Sequence, residues 1–215
     1  AGSLETPALL LRSGIGGPAV GQHLRLHPTA AVFGLYDDDL KAWWGAPQAL
    51  LLDEFETGVD GDGYGFLVEC SQYAPGLIGS SMPFTSAEAH KRTMESTPQV
   101  GVFVGLTRDH GSGSVTIDED GQSVVQYALT DPIDVATMHR AMDAMVRMHE
   151  AAGAREISLL GVNPPVWRRG DDLDAFIARM QRMPLRFGGV TLFTAHQMGT
   201  ARMGSDPQTS VADAR

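Results

Sequence analysis

His196 has the type and setting to move a proton. It follows the apolar run Val190-Thr191-Leu192-Phe193 and precedes Gly199-Thr200-Ala201-Arg202-Met203-Gly204. Imidazole titrates near neutral pH, so a histidine held there could accept the proton of a bound hydroxyl. The two glycines let the main chain approach a ligand closely and aim its N–H groups there. A core histidine beside a turn would use the same residue types.

Other groupings carry less chemistry. The glycines after Leu9-Leu10-Leu11-Arg12-Ser13-Gly14 follow a helical run and lack Gly-x-Gly-x-x-Gly spacing. They read as a helix stop rather than a phosphate cradle. His23 and His27 stand four apart, as metal ligands on one helix face do, but no third ligand adjoins them and Pro28 breaks such a helix. No metal site is expected. Met138, Met142, Met145 and Met148, near His139 and His149, read as core packing rather than a copper site. Cys70 is the only cysteine, which excludes an internal disulfide and CxxC zinc sites. No Gly-x-Ser-x-Gly elbow is present, so a hydrolase using His196 as base has no visible nucleophile.

The elements that must position His196 come from periodicity and punctuation. Thr6 and Pro7 open a short helix that Gly14 closes. Residues 29–36, 65–70 and 100–106 read as strands, and 43–63 and 73–83 as long loops. Asp120-Gly121 between Ser114–Asp118 and Val124–Leu129 signals a hairpin. Asp131 caps a helix with Pro132 at its first position, Met138, Ala141, Met142, Met145 and Met148 recurring at 3–4 spacing, and Gly153 at its end. Residues 157–162 form a strand and 171–183 a second amphipathic helix. Strands grouped ahead of helices, with a hairpin between, predict an α+β fold with an antiparallel sheet.

The chain has 215 residues, 43% of them hydrophobic and 20% charged, with a formal charge of −10. That is ordinary globular composition, and its acidity argues against nucleic acid as a partner. No apolar run approaches the roughly eighteen residues of a membrane span. The first residues do not read as a signal peptide, and the chain reads as cut from inside a longer one. The lone cysteine fits a reducing compartment, and a cytoplasmic location is expected.

Both ends resemble the glucose–methanol–choline (GMC) oxidoreductases. Ala1-Gly2-Ser3-Leu4-Glu5-Thr6-Pro7-Ala8-Leu9-Leu10-Leu11-Arg12-Ser13-Gly14-Ile15-Gly16 is similar to that family's second signature. Val20-Gly21-Gln22-His23-Leu24-Arg25-Leu26-His27-Pro28 resembles the stretch that follows it, with His23 where Asn is usual. His196-Gln197-Met198-Gly199-Thr200, with Asp206-Pro207 and Ser210-Val211-Ala212-Asp213, resembles the C-terminal active-site segment, most like the long-chain alcohol oxidase branch. Ala201 stands where many members carry Cys. The likeness of residues 113–154 to the family's substrate domain is one of order and spacing only.

The resemblance implies an FAD enzyme that oxidises a small-molecule alcohol and passes electrons to oxygen or another acceptor. It implies that His196 takes the alcohol proton beside the flavin, and that Gly199, Thr200, Ser13 and Gly14 border the cofactor. It divides the chain into 1–27, a remnant of the FAD-binding domain; 28–193, a substrate-binding domain whose sheet carries helices on one face; and 194–215, an active-site segment returning to the FAD-binding domain. Loops 43–63 and 73–83 would shape the pocket, with Trp43, Trp44, Phe66, Phe84 and Phe103 as apolar lining. The Gly-x-Gly-x-x-Gly unit that holds FAD is missing, as is a second active-site His or Asn beyond Arg215, so these residues alone are expected to be inactive. A ligand-binding module without catalysis on the same scaffold is the alternative.

Overall fold

The computed structural model describes residues 2–58, 61, 63–71, 73–82 and 84–213. In chain order its elements are α1 (Glu5–Arg12), β1 (Thr29–Leu35), β2 (Leu51–Leu52), β3 (Phe66–Cys70), α2 (Pro75–Ser81), α3 (Ala87–Ser96), β4 (Val100–Thr107), β5 (Ser114–Ile117), β6 (Ser123–Gln126), α4 (Pro132–Ala151), β7 (Glu156–Leu159), β8 (Trp167–Arg168) and α5 (Leu173–Gln181). They form two compact units. The first comprises residues 1–28, 109–134 and 194–215, the second residues 29–108 and 135–193. This cut differs from the 1–27, 28–193 and 194–215 expected from sequence: residues 109–134, with the β5–β6 hairpin, join the two end segments.

The second unit is built on a six-stranded antiparallel sheet in the order β2-β3-β4-β1-β7-β8. Alternation along β1 and β4 gives it two distinct faces. On one, Ala31 pairs with Val104 and Phe33 with Val102, and the short α2 adds Ile78 to their cluster. On the other lie Gly34 and Gly105, where a Cβ would meet the His149 ring at 2.3 Å and the Met145 methyl at 3.0 Å. The missing side chains let α4 settle onto the sheet. Met138, Ala141, Met142 and Met145 are fully buried, as their 3–4 spacing predicts, while Met148 of the same series is only partly buried. Asp172 caps α5 by accepting from the Ala175 N–H at 2.9 Å, and Arg147 of α4 reaches Asp174 of α5 at 2.7 Å.

The stretch 73–83, expected as loop, contains α2. Pro75 occupies the helix start, where no N–H is needed, and burial of Ile78 offsets two glycines that disfavour helix. The strand β8 and the helix α3, the latter capped by Ser86 accepting from the Ala89 N–H, are not among the elements read from the sequence.

In the first unit, α1 lies against the hairpin of β5 and β6. Gly14 stops the helix in the left-handed region at φ 61°, as expected. The hairpin turn is held by the Asp118 carboxylate, which accepts from the N–H groups of Asp120 and Gln122 at 3.0 and 2.8 Å.

Candidate active site

His196 lies exposed in the first unit, on a segment without regular structure. The fold fixes that segment through neighbours distant in sequence. Arg25 and Met198 exchange both main-chain hydrogen bonds at 2.9 Å. Thr194 donates its hydroxyl to the Leu26 carbonyl and accepts from the His196 N–H at 3.1 Å. The imidazole faces that of His27, with ring centroids 5.8 Å apart and tilted by 54°.

Both histidines weighed as a metal pair lie outside any helix. His23 and His27 are left-handed, at φ 64° and 47°, and flank a stretch bridged to Gly113 and Met198. No cluster of three or more His, Cys, Asp or Glu able to hold a metal occurs among the described residues. Partial burial, then Arg202 and Arg25, hold the His23 pKa below its usual value. The backbone carrying His27 is anchored by Asp109, a buried carboxylate that sequence reasoning missed. It accepts from the Leu26 N–H at 2.8 Å, from the His27 N–H at 3.4 Å and from the Tyr127 hydroxyl at 3.0 Å. Burial, then the Asp109 charge, raise the pKa of that phenol, which stays a donor. The signal available for Asp109 was a charged residue two positions past a strand.

Gly199 and Thr200 follow His196 and are spent on the protein itself. Gly199 stands at φ 94°, and a Cβ there would lie 2.1 Å from the His23 carbonyl oxygen. Thr200 is fully buried, donates its hydroxyl to the Ser3 carbonyl at 2.6 Å, and accepts from the Gly21 N–H at 2.9 Å. Ser3 in turn donates to the Gln197 carbonyl at 2.7 Å. The front and back signatures therefore meet through Ser3. Ser13 and Gly14 do not join this contact: their N–H groups bond to carbonyls of their own helix.

Whether the segment suits a flavin turns on its donors. Among the described residues, the N–H groups of Gly199 and Ala201, both partly exposed, have no hydrogen-bond acceptor. Free main-chain donors within five residues of an exposed imidazole suit the carbonyl and ring-nitrogen acceptors of a flavin's polar edge.

The second unit carries an apolar cavity of about 380 Å3 on the sheet face opposite α4. Phe33, Val102 and Val104 form its floor, with Leu77 and Ile78 of α2 over them. Of the expected aromatic lining, none contributes. Phe103 packs on His149 at 4.3 Å, Phe66 stacks on Phe55 at 4.8 Å, and Trp44 and Phe84 are exposed. Alternation sends Phe103 to the α4 face, and Phe33, one register step away, to the cavity.

Residues 109–215 match the family model for GMC oxidoreductases. The whole chain aligns at 35% identity with an uncharacterised GMC-type oxidoreductase of Mycobacterium tuberculosis, covering 32% of that protein. It aligns at 26% identity with a long-chain-alcohol oxidase of Arabidopsis thaliana, over 97% of this chain and 30% of that one. A GMC-type oxidoreductase of Sinorhizobium fredii aligns at 26% identity over 99% of the chain and 40% of its own length. The chain belongs to the GMC oxidoreductase family. It spans about a third of the length of the first two relatives.

Proposed function

We propose that the protein carrying this chain is an FAD-dependent oxidoreductase acting on the CH–OH group of an alcohol, with His196 accepting the hydroxyl proton. The carrying observation is the exposed His196 imidazole on a segment pinned at Ser3 and Arg25, followed by the free N–H groups of Gly199 and Ala201. When bound, the flavin supplies the hydride acceptor and passes electrons to oxygen or another carrier. His196 takes the proton from the alcohol oxygen, so the C–H bond breaks from an alkoxide-like centre. Gly199 and Ala201 offer main-chain donors to the cofactor, and the buried Thr200 between them pins the segment to Ser3. Asp109 and Thr194 hold the chain segments that carry His27 and His196. Ser13 and Gly14 are assigned to the cofactor through the front signature.

The test is anaerobic flavin reduction in the full-length protein, with aliphatic, aromatic and sugar alcohols. The His196→Ala variant is expected to slow reduction by about two to four orders of magnitude while flavin stays bound. Equal rates would make His196 structural. No reduction by any alcohol would favour a binding module without catalysis.

A further inference from the structure

In the first unit the hairpin of β5 and β6 is finished on one side only. Gly113 and Leu24 exchange both main-chain hydrogen bonds, and Val115 donates to the Gly21 carbonyl at 2.7 Å. Residues 21–24 thus run along the outer edge of β5 as a further strand would. Ladder groups alternate along a strand, so Ser114 and Thr116 face β6, where they stand opposite Gln126 and Val124. The N–H and C=O groups of Ser123 and Val125 therefore point away from β5. Among the described residues, none of these four groups has a hydrogen-bond partner.

Side-chain packing stops at the same line. Val115 and Val125 are opposite each other in the ladder, so their side chains share a face. Val115 is fully buried, yet Val125 is 45% exposed. A groove of about 880 Å3 runs beside Val125, Gln126 and Tyr127, with Gln22 and Gln208 on its walls. A side-chain amide both donates and accepts, as a peptide group does, so these walls suit a polypeptide main chain.

A lone two-stranded ribbon is marginal in water, and an unpaired edge is a template for another strand. The edge strands of the second unit's sheet, β2 and β8, are two residues long and offer little to such a strand; β6 offers four residues. More than half the length of each aligned relative lies outside the matched stretch. A segment of the same polypeptide would meet the edge at a high effective concentration that a separate partner lacks.

We infer that β6 is a docking edge for an extended segment of the full-length polypeptide outside these 215 residues, which joins the hairpin as its third strand. This docking edge is independent of the oxidation chemistry.

Hydrogen exchange at single-residue resolution on the full-length protein reads the edge directly. The hairpin alone protects Val124 and Gln126 and leaves Ser123 and Val125 to solvent, an alternating pattern. A docked strand should slow the Val125 amide at least about a hundredfold below the rate of a free amide and so erase the alternation. A photo-crosslinking amino acid in place of the half-exposed Val125 should then capture a peptide of the same chain from outside residues 1–215. Retained alternation, with Val125 within about tenfold of a free amide, would overturn the docking edge. Protection that falls on dilution, with cross-links between two copies, would make the occupant a second molecule and equally overturn it. Cross-links confined to residues 1–215 would do the same.

Discussion

His149 donates through Nε2 to the Val32 carbonyl at 3.0 Å and accepts from the Tyr36 hydroxyl at Nδ1, 2.8 Å away, so both ring nitrogens serve the neutral imidazole. Burial pushes its pKa down to about 4, against 6.5 for a free histidine. The unfolded chain therefore binds a proton that the folded one refuses. The contribution is complete above pH 6.5 and is lost as pH falls through 4, about 3 kcal/mol in total. Urea melts at stepped pH should show this slope, and His149→Phe should flatten it; an unchanged slope would assign the acid sensitivity to carboxylates. Gly199→Ala faces both a left-handed φ and the His23 carbonyl. It should cost about 2–5 kcal/mol, read as a lower melting midpoint. At this scale His196 was legible because its motif lies within a few consecutive residues. Asp109 and the facing ring of His27 were not, because their partners lie some 80 to 170 positions away in the chain and a single sequence holds no trace of that pairing.

Helices with complete punctuation were readable in advance. Asp131, Pro132, the methionine stripe and Gly153 delimit α4, and Asp172 opens α5. Replacing Asp172 by Ala removes an acceptor for the Ala175 N–H and should destabilise the second unit by about 1 kcal/mol; Asp172→Asn should restore most of it. The failure at α2 is equally physical. Its sequence, Pro-Gly-Leu-Ile-Gly-Ser-Ser, has the composition of a loop, and its helix rests on one buried side chain over the sheet. Tertiary burial outweighed local propensity, which no window of seven residues can report. Which phenylalanine faces the apolar cavity was hidden for a related reason: Phe33 and Phe103 are both strand residues, and only the register decides which face each serves.

Taken whole, the chain has no Gly-x-Gly-x-x-Gly. These 215 residues purified alone are expected to show no flavin absorbance, and one FAD per chain would overturn that. The fold class was legible from the order of elements. The grouping of the β5–β6 hairpin with α1 was not, because the hairpin follows strands of the second unit directly in the chain. That arrangement sets a timetable for folding. The strands of β1, β3 and β4 can pair as soon as they are made, whereas Leu26 waits for Thr194, 168 residues later, and Ser3 waits for Thr200. At cellular synthesis rates the gap is roughly 10 to 40 s, during which the front segment lacks the partners that pin it. Contacts of such high order also slow refolding. Pulse-labelled hydrogen exchange should find β1 and β4 protected well before Gly21 and Arg25, and in the cell the nascent front segment is a natural client for a chaperone.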